Sequence, residues 1–248
     1  MCIRDSPQAV ADAGFTRAEF WWPFPTPTPS QAEVDAFVTA LRDAGIQLTG
    51  LNFYAGDMPG GERGVLSQPT RAEEFRANID AVVAIGRATG CRAFNALYGN
   101  RVDGDNPAQQ DRVGVDNLRR AADAVAEIDG VVLLEPVSGT PAYPLKTAAD
   151  ALSIIEKVGK PNVKLLADFY HLAANGDDVA QVIEDHAADF GHIQIADHPG
   201  RNEPGTGDLP LERWIDRSRE LGYEGVIGLE YKASHEDPFA WLPRERRA

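Results

Sequence analysis

A parallel α/β barrel is the fold this 248-residue chain predicts, on three observations. Short β-branched or aromatic runs alternate with amphipathic helical stretches from end to end, which indicates βα units. Glycine recurs just after the helical stretches, and no Gly/Ser-rich linker or low-complexity tract breaks the rhythm. The length also matches one (β/α)8 barrel, about 250 residues, better than two small domains.

The strands are expected at 17–21, 47–53, 92–97, 131–135, 163–168, 192–196 and 226–230. Helices are expected between them at 30–44, 70–89, 109–128, 147–158, 177–189 and 210–221. Ser30 and Thr70 each have a glutamate three positions later, Glu33 and Glu73, the spacing of a capping box. Gly45, Gly90, Gly159 and Gly222 stand where a left-handed residue ends a helix. Val34, Phe37, Val38 and Leu41 share one helical face, as do Val179, Val182 and Ile183. The proline-rich stretch 23–29 reads as a βα loop, because a strand precedes it and a capped helix follows.

That makes seven strands rather than eight. Residues 7–13 read as the tail of a helix, and 1–6 (MCIRDS) have neither strand nor helix character. The expectation is a single domain over 1–248, a (β/α)8 TIM barrel lacking its first strand and most of its first helix, with 1–6 foreign or disordered.

With 38 acidic against 24 basic side chains the formal charge is −14, which argues against a broad nucleic-acid-binding face. No apolar run approaches the ~20 residues of a membrane-spanning helix. The two cysteines, Cys2 and Cys91, make a disulfide framework or a cysteine zinc site a poor reading and suit a cytoplasmic protein. Self-association is left open.

Barrel enzymes work at the carboxyl ends of their strands. Four strands end in a carboxylate or an amide: VVLLE at Glu135, VKLLAD at Asp168, HIQ at Gln194 and VIGLE at Glu230. Strand alternation that turns Glu135 inward also turns Val131 and Leu133 inward and leaves Val132 and Leu134 against the helices. Taken singly, each such acid is equally well a helix cap or a surface ion pair. Three carboxylates converging on one mouth would repel one another unless some take up protons or a cation neutralises them. An all-oxygen set of Glu, Asp and Gln suits Mg²⁺ or Mn²⁺ more than Zn²⁺.

The segments GERG (61–64), LLEP (133–136), DFYH (168–171), HIQIADHPGRNEPGTG (192–207) and GLEYK (228–232) resemble those of hydroxypyruvate isomerases, a branch of the xylose-isomerase-like TIM barrels. The resemblance runs over about 14–242, and the sixteen-residue segment is its most specific part. It implies that Glu135, Asp168, Gln194 and Glu230 hold one divalent metal, Mg²⁺ or Mn²⁺. It also implies that Glu135 and Glu230 flank the substrate as catalytic acid and base. His171 falls where related epimerases place a substrate-contacting histidine. Arg201 is a candidate bidentate grip on a carboxylate and Lys232 a candidate point charge, although both also read as rim charges balancing the acids. Glu62 and Arg63 read as a lid-loop ion pair. Glu19 points inward if Arg17 does, and a pair with Arg17 accounts for it equally well. Two histidines near Gln194 are not taken as ligands: His192 faces inward lower down, and His198 lies in the loop. Asn52 and Asn95 are candidates for lining the mouth.

The chain departs from the family where Val137-Ser138 replaces the common Ile-Asn after Glu-Pro. Gln194 in place of the histidine of ketose epimerases favours an acid substrate over free sugars. The resemblance therefore implies an isomerase interconverting hydroxypyruvate and tartronate semialdehyde through an enediolate. The alternatives are a 2-oxotetronate isomerase, a ketose 3-epimerase and, outside catalysis, an inactive truncated barrel. The expected partner is a small hydroxy-oxo acid, with neither nucleic acid nor membrane.

Overall fold

The computed structural model describes residues 6–247, so the expectation for 1–5 lies outside the described residues. Ser6 is described, and it caps a helix: its hydroxyl accepts from the backbone N–H of Ala9 at the start of α1 (Pro7–Asp12).

Among the described residues the chain runs β1 (Arg17–Phe20), α2 (Gln31–Asp43), β2 (Gln47–Asn52), α3 (Ala72–Thr89), β3 (Ala93–Asn95), α4 (Pro107–Ala126), β4 (Val131–Leu134) and α5 (Ala148–Val158). It continues as β5 (Val163–Asp168), α6 (Phe169–Ala174), α7 (Val179–His186), β6 (Phe190–Ile195), α8 (Leu211–Glu220) and β7 (Ile227–Leu229). The seven strands form one parallel sheet in sequential order. Val132 and Leu134 join the large apolar cluster that includes Leu118, Ala122 and Ile154 of the surrounding helices. Leu133 lies on the opposite, inner face beside Gly191, where a Cβ would come within 2.6 Å of it.

Local chemistry explains the helix ends. Ser30 and Glu33 form the reciprocal capping box of α2, and Thr147 with Asp150 forms another on α5. The Thr70 cap does not form. Pro69–Arg71 is a 3₁₀ turn, α3 begins after Arg71 without a side-chain cap, and Glu73 pairs with Arg76 at 2.5 Å. The proline at the head of that turn takes Thr70 into the turn itself, one residue short of an N-cap. Two buried tyrosines join strand ends to loops. The Tyr143 hydroxyl donates to the Glu135 carbonyl and accepts from the Tyr98 N–H, and Tyr223 does the same between Val226 and Ile193.

β1 and β7 end the ladder and are not paired with each other. Side chains cross the interval instead. Glu19 of β1 reaches β6, and Gly228 of β7 makes room for it, since a Cβ there would lie 2.2 Å from Glu19 Oε1. A cavity of about 470 Å³, lined by Arg17, Glu19, Ile227, Leu229 and Trp241 among others, lies along this seam. The final segment closes over it, with the Arg247 guanidinium 5.4 Å from the Phe239 ring and bonded to the Ala13 carbonyl.

Candidate active site

The carboxyl ends of the strands surround a cavity of about 540 Å³, a usual size for a small-molecule site. Glu135, His171, Gln194, Arg201, Glu230 and Lys232 line it, together with Asn52 and Asn95. Asp168 lies fully buried at the edge of this group. Residues singled out from the sequence thus meet here, although they come from six strands and the loops after them.

Asp168 ends β5 and has two environments. Its Oδ1 accepts from the N–H groups of Tyr170 and His171, capping α6, so the helix-cap reading holds for one oxygen. Oδ2 is buried without a hydrogen-bond partner. Glu135, just past β4, accepts from Asn95 Nδ2 at 2.7 Å through Oε2. Glu135, Asp168 and His171 offer ligand atoms within 4.8 Å of one another.

The hydrogen bonds of His171 decide its part in that cluster. Its Nδ1 accepts from the Ser138 backbone N–H at 3.0 Å. An acceptor at Nδ1 puts the proton of the neutral ring on Nε2. Nε2–H then faces Asp168 Oδ2 at 3.6 Å and Glu135 Oε1 at 3.8 Å. Burial lowers the His171 pKa to about 4, against the opposing pull of Asp168, so the ring is neutral near pH 7. His171 is therefore a hydrogen-bond donor into the cavity. The backbone N–H of residue 138 fixes that tautomer, and the Ser138 hydroxyl, at the departure from the family pattern, also lies 2.7 Å from Nδ1.

Gln194 is oriented from behind. Its Nε2 donates to Glu19 Oε1 at 3.0 Å, which turns Oε1 away from Glu19 and leaves it buried without a partner. Glu19 Oε2 lies 2.7 Å from His192 Nε2. Glu19 therefore pairs with His192 and Gln194; the expected alternative, Arg17, is exposed on the other side of a bulge between Ala18 and Glu19. Burial works against the Glu19 charge, but attraction to His192 and their hydrogen bond outweigh it and lower the pKa to about 2. His192 sits where expected, one layer below the mouth. Replacing Glu19 with Gln takes away the buried carboxylate that His192 and Gln194 share, and the expected loss is about 2 kcal/mol in a urea unfolding titration.

Arg201 adopts a left-handed backbone (φ +60°) uncommon outside glycine. Its N–H donates to the Asp197 carbonyl, and its carbonyl accepts from the Lys232 N–H. Held this way, its guanidinium lies 3.2 Å from Glu230 Oε1 and 3.6 Å from Asp168 Oδ2. The loops after β6 and β7 are fastened further by Glu203, which accepts from Ser234 and His235. Lys232 lines the cavity on the same loop.

The expected Glu62–Arg63 pair is not formed. Glu62 pairs with Arg71, which also holds Glu74, while Arg63 turns toward the cavity and donates through Nη1 to the carbonyls of Met58 and Glu62. Adjacent residues in this loop point apart, and Arg71 comes close from the turn before α3.

Electrostatically the mouth is a cluster of acids under strain. Burial raises the Glu135 pKa well above the usual carboxylate range, and repulsion from Glu230 and Asp168 adds to it. Burial likewise raises Glu230, against the pull of Arg201. A cation placed among them would remove that repulsion. The oxygens of Asp168 and Gln194 that accept no hydrogen bond, together with the carboxylates of Glu135 and Glu230, form a hard donor set that fits Mg²⁺ or Mn²⁺. Asn95 lines the mouth, as its place at a strand end allowed, whereas the roles of Glu19 behind Gln194 and of Arg63 facing the cavity were not legible. Inward strand parity was the one signal for Glu19, and Arg63 carried none beyond its place in GERG.

Comparison with known proteins agrees with this architecture. A putative hydroxypyruvate isomerase of Streptomyces coelicolor is 51% identical, over 99% of this chain and 92% of that protein. A hydroxypyruvate isomerase of Escherichia coli is 32% identical, over 91% of this chain and 86% of that one. A crystal structure titled AP endonuclease, family 2, from Brucella melitensis superposes with a TM-score of 0.86 at 30% identity, covering 97% of this chain and 92% of that one. The model of the xylose isomerase-like TIM barrel matches residues 7–248. By this match and by its relatives the chain belongs to the xylose isomerase-like TIM-barrel family, among the hydroxypyruvate isomerases.

Proposed function

We propose that the protein is a divalent-metal-dependent isomerase that interconverts hydroxypyruvate and tartronate semialdehyde, with Glu135 and Glu230 as the acid–base pair. The observation that carries this reading is the convergence of three carboxylates with two buried oxygens that accept no hydrogen bond, Asp168 Oδ2 and Gln194 Oε1, at one barrel mouth. Glu135, Asp168, Gln194 and Glu230 would hold the ion. When bound, Mg²⁺ or Mn²⁺ supplies Lewis-acid stabilisation of negative charge on the substrate oxygens.

The chain's own residues supply the proton transfers. Moving the carbonyl of hydroxypyruvate by one carbon breaks a C–H bond at C3 and forms one at C2, while a proton passes from the C3 hydroxyl to the C2 oxygen. One glutamate takes the C3 proton, giving an enediolate, and the other delivers a proton to C2. His171 donates from Nε2 to a substrate oxygen and, being neutral, does not compete for the proton the glutamates exchange. Glu19 keeps the Gln194 carbonyl oxygen facing the site, and Asn95 fixes one oxygen of Glu135. Trp21, just after β1, hydrogen-bonds Glu230.

A second reading, 2-oxotetronate isomerase, is favoured by the cavity, whose 540 Å³ leaves room for one more carbon. The deciding experiment is a panel of hydroxypyruvate, 2-oxotetronates and ketohexoses, run in D₂O with Mg²⁺ or Mn²⁺ present. Turnover of an oxo acid with solvent deuterium entering at the newly protonated carbon is expected. Turnover confined to ketohexoses would replace this reading with an epimerase.

A further inference from the structure

Arg63 is a cation aimed at the cavity without an acidic partner. Among the described residues it makes no ion pair, whereas its sequence neighbour Glu62 is taken by Arg71 and the cavity's other arginine, Arg201, is taken by Glu230 and Asp168. Nη1 is occupied by the carbonyls of Met58 and Glu62, a pair of bonds that fixes the plane of the guanidinium. Its loop is rigidly seated. Gly64 (φ +102°) lies so close to the Leu97 carbonyl that a Cβ would meet its oxygen at 1.9 Å, and Gly99 N–H donates to the Arg63 carbonyl.

We infer that Arg63 is the group that binds the substrate's carboxylate and so selects an oxo acid over a neutral ketose. The inference rests on the isomerase reading above and deepens it. With a divalent ion and Arg201 offsetting the three acids, the mouth is close to neutral, and Arg63 and Lys232 remain as surplus positive charge for an anionic substrate. Of these two, Arg63 has the planar fork that matches a carboxylate and is already oriented by two carbonyls. This reassigns the grip expected of Arg201, whose guanidinium is committed to Glu230 and Asp168.

The test uses glycerate, which carries the carboxylate and hydroxyls but no carbonyl to isomerise, as a competitive inhibitor of the metal-loaded enzyme. In Arg63→Gln the glycerate inhibition constant and the KM for the oxo acid should both rise by about 10- to 100-fold, as expected for losing hydrogen bonds to a charged group. Arg63→Lys should recover part of that loss. The Mn²⁺ affinity of both variants should match the parent, showing that the mouth is intact. An unchanged glycerate constant in Arg63→Gln, with oxo-acid turnover intact, would overturn the role of Arg63 and leave the isomerase reading standing. A parent enzyme that neither turns over oxo acids nor binds glycerate would overturn the isomerase reading itself.

Discussion

Replacing Glu135 or Glu230 with Gln should lower kcat by about 10³-fold or more while the fold survives. The substitution keeps the shape of each side chain but removes the ability to take and return a proton. Gln at 135 can still accept from Asn95, and Gln at 230 can still lie beside Trp21, so the packing around the mouth is retained. Glu135 is buried, Glu230 is partly so, and the two repel each other, so removing one charge relieves repulsion in the metal-free protein. Steady-state kinetics on the identified substrate, paired with thermal melts, checks both halves. Near-normal turnover in either variant contradicts the two-glutamate mechanism.

The second large effect is that of metal removal. Chelation should abolish turnover, and Mg²⁺ or Mn²⁺ should restore it, because three mutually repelling carboxylates and two buried oxygens without hydrogen bonds meet at this site. Stability should move in the same direction. An ion at 100 times its dissociation constant adds about 2.7 kcal/mol, a rise of roughly 5–10 °C in melting temperature for a chain of this size. Full activity in protein shown to be metal-free would discard the ion from the mechanism.

The strand-end pattern made much of this site readable in advance. Glu135, Asp168, Gln194 and Glu230 stand at the ends of runs whose alternation and apolar outer layer are local properties, so the sequence carries them directly. What stayed hidden depends on distance along the chain or on short elements. Glu19 meets His192 across 173 positions, and nothing near either residue marks the other. The six-residue α6 is too short for a helical period, and its cap, Asp168, had already been read as a strand end. Thr70 had the right neighbours for a cap, but Pro69 set a different turn. GERG was readable as a motif, whereas the direction of its side chains depended on Arg71 drawing Glu62 away.

The central claim is that Glu135, Asp168, Gln194 and Glu230 hold one hard divalent ion. Titration of metal-depleted protein with Mn²⁺, followed by electron paramagnetic resonance, tests it most directly. One site per chain is predicted, weakened strongly in Asp168→Asn and in Gln194→Leu. No saturable Mn²⁺ binding, or binding indifferent to both substitutions, would contradict it.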